Sequence, residues 1–151
     1  MANVPEAQPE ILSADIVVLY KRNDNTYDIL LIRRGGETER GKLALPGGKK
    51  NAKDGTIAVT AQRELYEEVG IHAELDELSV YGVLDGPGRD PRGDNRTSIV
   101  HILDASPAQV RDARAGDDAS ELVRMPLANV QPNLMAFDHA KVIERLQSDY
   151  A

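Results

Sequence analysis

The chain has 151 residues, no cysteine, a formal net charge of -7 and a sequence pI of about 4.9. Those values exclude disulfide frameworks, thiolate metal sites and cysteine nucleophiles, and they argue against nonspecific binding to nucleic acid or anionic lipid, which needs basic surface. A content of 41% hydrophobic and 28% charged residues suits one globular domain with a sizeable core.

Residues 1–10, "MANVPEAQPE", read as a flexible lead-in without the basic and apolar regions of a signal peptide. Residues 11–151 form one domain. No apolar run reaches the length of a membrane span, so a cytoplasmic location and no membrane partner are expected. "ADIVVLYKR" (14–22) is a β-branched apolar run and reads as a strand. "NDN" (23–25) signals a turn, and "YDILLIRR" (27–34) reads as the returning strand of a hairpin. "GGETERGK" (35–42) is a polar loop, and "LALPGG" (43–48) ends in a Pro-Gly-Gly turn.

A helix is predicted over residues 56–69, with Ile57, Ala58, Ala61, Leu65 and Val69 in one apolar stripe and Gly70 as its stop. "LSVYGVLDG" (78–86) and "TSIVHILDA" (97–105) read as strands, joined by the Gly/Pro-rich loop "PGRDPRGDN" (87–95). "SPAQVRDARAGDDAS" reads as a short helical turn and a loop, and "ELVRMPL" as a last strand. "FDHAKVIERLQ" (137–147) fits a closing helix with Asp138 at its N-cap. The whole is an α+β domain with a mixed sheet and helices packed on it.

The predicted helix carries Glu64, Glu67 and Glu68, which should repel one another. At about 100° per residue they share a face opposite Ile57, Ala61 and Leu65. That face is either a solvated acidic surface or a site for a hard divalent cation, which takes a few carboxylate oxygens and keeps several waters. Arg63, four residues before Glu67, is spaced to hold that carboxylate. The upstream Pro-Gly-Gly turn lets backbone approach a ligand closely.

"GGKKNAKDGTIAVTAQRELYEEVGI" (47–71) resembles the signature of the Nudix hydrolases, a Gly, then a Glu, then Arg-Glu-apolar-x-Glu-Glu-x-Gly-apolar. Arg63 to Ile71 match at every fixed position. The first half departs: the loop from Gly48 is one residue longer, and Gly55, or Asp54 in a shifted alignment, replaces the expected Glu. The resemblance implies a Nudix-type mixed β-sheet sandwiched between helices. It implies that Glu64, Glu67, Glu68 and the Gly48 carbonyl bind Mg²⁺ or Mn²⁺, and that Arg63 orients Glu67. It also implies cleavage of a diphosphate linked to another moiety.

"GKLALPGGK" (41–49), "RDPRG" (89–93), "AGDDASELVRMPL" (115–127) and "LMAFDHAKVI" (134–143) are similar to the ADP-ribose pyrophosphatase branch of that family. The implied substrate is ADP-ribose or a related nucleoside diphosphate conjugate, a small nucleotide rather than a nucleic acid, and relatives of this branch are often homodimers. Arg89 and Arg92 suit phosphate or ribose, and Asp90 and Asp94 suit ribose hydroxyls; the alternative is a surface loop whose arginines pair with those aspartates. Arg33 and Arg34 are further candidates, and strand alternation lets only one of them face the site. Asp118, beside Asp117, aligns with a region that often supplies an acidic metal ligand or base. His72 and His101 read as structural, His139 as a helix-start hydrogen-bonding residue, and Phe137 as a residue of the core or of the base pocket, with the core favoured for a sole Phe. Two other readings remain: hydrolysis of an ordinary or oxidised nucleoside triphosphate, and a non-catalytic module that senses a nucleotide sugar.

Overall fold

Strand β1 (Ile11–Lys21) is buried on both faces through its middle, and so is β2 (Tyr27–Arg34), which pairs with it antiparallel across the turn at Asn25. The computed structural model describes residues 10–86, 88–92, 95–116 and 119–150. The N-terminal lead-in (residues 1–9 of it), Asp94, Asp117 and Asp118 lie outside the described residues. Both central strands are continuous apolar runs because each face of the sheet carries a helix. Ala14, Ile16, Val18 and Leu30 pack with Ala61, Leu65 and Val69 of helix α1 (Ile57–Val69). Val17, Leu19, Ile29 and Leu31 pack on the other face with Val142, Ile143 and Leu146 of helix α3 (His139–Asp149). The period-2 alternation of a strand thus feeds two cores from one run of residues.

"LALPGG", read from sequence as a turn, forms two short strands on either side of Pro46, β3 (Leu43–Ala44) and β4 (Gly47–Lys49). The remaining elements are β5 (Leu78–Leu84), β6 (Arg96–Asp104), helix α2 (Pro107–Asp112) and β7 (Ala119–Pro126). The strand order is β3-β2-β1-β6-β5, with β4 added to β1 and β7 to β2. The β1–β6 pairing is parallel and the others antiparallel, so the sheet is mixed. This is the sheet between helices that the sequence predicts, with β2 at its predicted bounds and other element ends shifted by up to three residues.

Local chemistry sets the helix ends. The Thr56 side chain accepts from the Val59 N–H, and Gly70, at φ 73°, closes α1 by donating to the Tyr66 carbonyl. Asp138 occupies the N-cap position of α3, but its carboxylate makes no capping bond; it pairs with Arg89 instead.

Leu65 is fully buried between α1 and the sheet. Leu65→Ala is expected to lower unfolding stability by about 2–5 kcal/mol, the range for truncating a buried leucine. Urea denaturation checks this; a loss well under about 1 kcal/mol would show that α1 is not packed as described.

Candidate active site

The acidic helix, the glycine turn and the arginine-bearing segments meet at one cleft of about 730 Å³. Glu64, Glu67 and Glu68 line one wall, with Gly47 and Gly48 of β4 beside them. Arg34, Arg89, Arg92, Phe137, Asp15 and His139 are among the residues that line the rest. Arg33 lies outside this lining. It points the other way along β2 and donates to Glu121 and to the Gly41 carbonyl, as alternation requires.

The three glutamates do not share one open face. Glu67 is exposed and Glu68 is half-buried, but Glu64 is only 8% exposed. It points into the gap between α1 and β4. A Cβ built on Gly48 would lie 2.3 Å from Glu64 Oε1, so only glycine lets the turn approach this carboxylate. Burial pushes the Glu64 carboxyl above its usual range, against the opposing charge of Arg63.

Arg63 holds this wall together from behind. Its Nε and Nη2 each donate at 2.9 Å to the two oxygens of Asp54, and Nη2 also donates to the Lys49 carbonyl at 3.0 Å. Nη1 donates to Glu64 at 2.8 Å and to Glu67 at 3.1 Å. Asp54 accepts in addition from Thr60 Oγ1 and from the Asn51 N–H. It therefore stands where the sequence shows the signature's Glu displaced. Gly55, at φ 72°, absorbs the extra residue before α1. Hydrogen bonds from Arg63 hold the Asp54 carboxyl well below the usual carboxylate range, and Asp54 in turn raises the guanidinium.

The opposite wall separates the arginines by what they touch. Arg89 is bidentate to Asp138, at 2.8 and 2.7 Å, and that pair is nearly buried. Arg92 donates through Nε and Nη2 to Asp90. Burial alone would raise the Asp90 carboxyl; the side-chain and backbone donors of Arg92 hold it at about 2. Arg34 donates Nε to the Thr38 carbonyl, and its Nη groups have no hydrogen-bond partner among the described residues. Burial and the neighbouring Arg92 lower its pKa.

Phe137 is half-buried and packs against the small apolar cluster of Ile32, Ala44 and Ala136, but it also reaches the cleft. Its ring lies in the cleft lining with the Arg34 and Arg92 guanidiniums 4.7 and 4.8 Å from its centroid, on a backbone at φ 55° that is strained for a bulky side chain. His139 does more than start a helix. Its Nδ1 accepts from the Leu45 N–H at 3.1 Å, and its Nε2 lies 3.4 Å from Asp15 Oδ2. Asp15 also accepts from Ser98 Oγ. The one signal for Asp15 in the sequence is a carboxylate inside an apolar strand. His101 is buried against the Ile99 carbonyl, and His72 stacks on Tyr66.

The donors at the acidic wall are all oxygens, which suits Mg²⁺ or Mn²⁺. The absence of a Cβ at Gly48 keeps its backbone beside Glu64. Arg63 engages Glu64 and Glu67 here, and among the described residues no three acidic or imidazole side chains form a ready-made cation cage. No described helix is long and apolar enough to cross a membrane.

The family model for the NUDIX domain matches residues 11–146. An ADP-ribose pyrophosphatase of Methanocaldococcus jannaschii is 41% identical over 116 residues, which cover 77% of this chain and 63% of that protein's length. A bifunctional NMN adenylyltransferase/ADP ribose pyrophosphatase of Francisella tularensis, complexed with AMP and a Mn ion, superposes with a TM-score of 0.78 at 26% identity. That match covers 97% of this chain and 44% of the other. A mutT/nudix family protein of Listeria innocua gives a TM-score of 0.77 at 30% identity, covering 95% of both chains.

The depressed Asp54 carboxyl predicts a pH dependence of stability. Its pairing with Arg63 contributes fully above the unfolded carboxyl value, near pH 4, and that contribution is lost as pH falls through the lower folded value. Asp54→Asn should be less stable than the native chain at neutral pH, with a gap that narrows below about pH 4. Urea midpoints across pH measure it; a gap constant down to about pH 2 would count against the pairing.

Proposed function

Because this chain belongs to the Nudix family, we propose that its cleft hydrolyses the diphosphate bond of a nucleoside diphosphate conjugate, with ADP-ribose, split to AMP and ribose 5-phosphate, as the preferred substrate. The observation that carries this reading is the pairing across one cleft of an acidic wall with Arg34, whose Nη groups are available. The archaeal relative and the Francisella enzyme, both named for ADP-ribose cleavage, support the choice of substrate.

In this reading Glu64, Glu67, Glu68 and the Gly48 carbonyl hold Mg²⁺ or Mn²⁺. When bound, the cation supplies neutralisation of phosphate charge and acidification of water. Arg63 is a positioning residue: Nε and Nη2 are committed to Asp54 and Lys49, so Nη1 reaches Glu64 and Glu67 from a fixed base. Arg34 takes a phosphate oxygen through its Nη edge while its Nε stays on Thr38. Arg89 and Arg92 act mainly by shaping the wall, since Asp138 and Asp90 engage the Nε and Nη2 of each. Asp118, outside the described residues, remains a candidate ligand or base.

Two measurements test the reading. Hydrolysis of ADP-ribose, other nucleoside diphosphate sugars, dinucleotides and nucleoside triphosphates is followed with Mg²⁺, Mn²⁺ or EDTA. Cation-dependent cleavage with ADP-ribose leading is expected; preference for triphosphates would discard the substrate, and no cleavage of any would discard the enzyme. Glu68→Gln should lower kcat by at least about 100-fold, as for loss of a group that stabilises transition-state charge. Arg34→Ala should lower kcat/KM by about 10- to 100-fold, the worth of a charged hydrogen bond.

A further inference from the structure

Asp15 and His139 are nearly fully buried on the cleft wall, at 9% and 3% exposure, and the proposed hydrolysis assigns neither a part. His139 bonds, and Asp15 packs against, the same short segment. His139 Nδ1 accepts the Leu45 N–H, which places the ring proton on Nε2, facing Asp15. Asp15 lies opposite Gly47 in the β1–β4 register, and a Cβ on Gly47 would lie 2.4 Å from Asp15 Oδ1. The next residue of β1, Ile16, donates its N–H to the Pro46 carbonyl at 2.8 Å. Residues 45–47 are therefore held by α3 from one side and β1 from the other, and Gly48 follows directly.

We propose that the Asp15–His139 pair is a positioning device that sets the glycine turn against Glu64, and thereby the affinity of the acidic wall for its cation. The proposal rests on the cation-binding reading above. A buried N–H without an acceptor is costly, so the Leu45–His139 bond fixes where the turn begins. Ser98 holds Asp15, and Arg89 holds Asp138 at the start of α3, so both members of the pair are themselves held. The pair sits behind the backbone that offers the ligand, where partners of metal ligands commonly tune affinity by about 10- to 100-fold.

The test is Mn²⁺ titration without substrate, with free Mn²⁺ read by electron paramagnetic resonance. Gln at 139 can reach toward Asp15 but withdraws the acceptor from Leu45; Asn keeps an acceptor near Nδ1. His139→Gln should bind Mn²⁺ about 10- to 100-fold more weakly, and His139→Asn, which keeps an acceptor for Leu45 but loses the Asp15 contact, should fall between His139→Gln and the native chain. Leu146→Ala, a core change in α3 away from the cleft, controls for general loosening and should lose stability without losing Mn²⁺ affinity. Native affinity in His139→Gln, or an equal loss in Leu146→Ala, overturns the proposal. Should His139→Gln not fold, Asp15→Asn is read in its place; an affinity unchanged from the native chain overturns the proposal, and a loss of about 10-fold supports it. A native chain that binds no Mn²⁺ at all overturns the cation-binding reading instead.

Discussion

The Arg63 guanidinium carries five N–H donors in a rigid plane, and five oxygens receive them: both of Asp54, the Lys49 carbonyl, and one each from Glu64 and Glu67. The acidic wall depends on this arrangement. Three carboxylates within two turns of one helix repel, and Glu64 also bears a burial penalty. Arg63 offsets both from within the same helix. Through Asp54 and Lys49 it also ties α1 to the segment before it and to the end of β4. A lysine could match the charge but not the planar fork, because its ammonium is a single point with three donors. The residue that neutralises the helix is thus also the one that registers it against the glycine turn.

Most of the fold was legible because its signals are local. β1 and β2 are apolar on both faces, α1 shows its stripe and its Gly70 stop, and the closing helix its periodicity. The short strands β3 and β4 were not legible. Two or three residues cannot display a period, and they become strands only because β2 and β1 are there to pair with them. Arg33 and Arg34 show how far alternation alone reaches. It says that they diverge, and only the tertiary arrangement says that Arg34 is the one turned to the cleft.

At the site, the legible part is the part with a fixed spacing. Arg63, Glu64, Glu67 and Glu68 lie within six residues of one another. The rest is assembled from segments far apart in the chain. His139 meets Leu45 across 94 residues, Ser98 meets Asp15 across 83, and Arg89 meets Asp138 across 49. No spacing rule encodes such contacts. Asp54 illustrates a subtler case. Counted along the chain it is out of place, but one glycine at positive φ lets the lengthened loop return its carboxylate to Arg63. Phe137 illustrates the reverse. A sole phenylalanine suggests core, and it does pack on Ile32, Ala44 and Ala136, yet two guanidiniums stack on its ring at the cleft.

A cleft proposed to take a polyanion inside a protein of net charge -7 presents a conflict, and the way charges are paired addresses it. Two of the three proposed substrate-facing arginines are committed to aspartates, so they add shape and little net field. Of these, Arg34 is the one with no aspartate bonded to it and neither Nη group hydrogen-bonded among the described residues, and it stands near Glu68 at the edge of the acidic wall. An anionic diphosphate brought against that wall without a cation would meet carboxylates at a cost of about 4 kcal/mol per close pair near a protein surface. A divalent ion on the glutamates would reverse the sign of that term, leaving Arg34 to hold the outer phosphate oxygens. On this reading the acidity of α1 is not a barrier to a nucleotide but the means of making nucleotide binding conditional on the cation. The buried Glu64 against Gly48 is where that condition would be set, because burial opposes its charge even with Arg63 bonded to it.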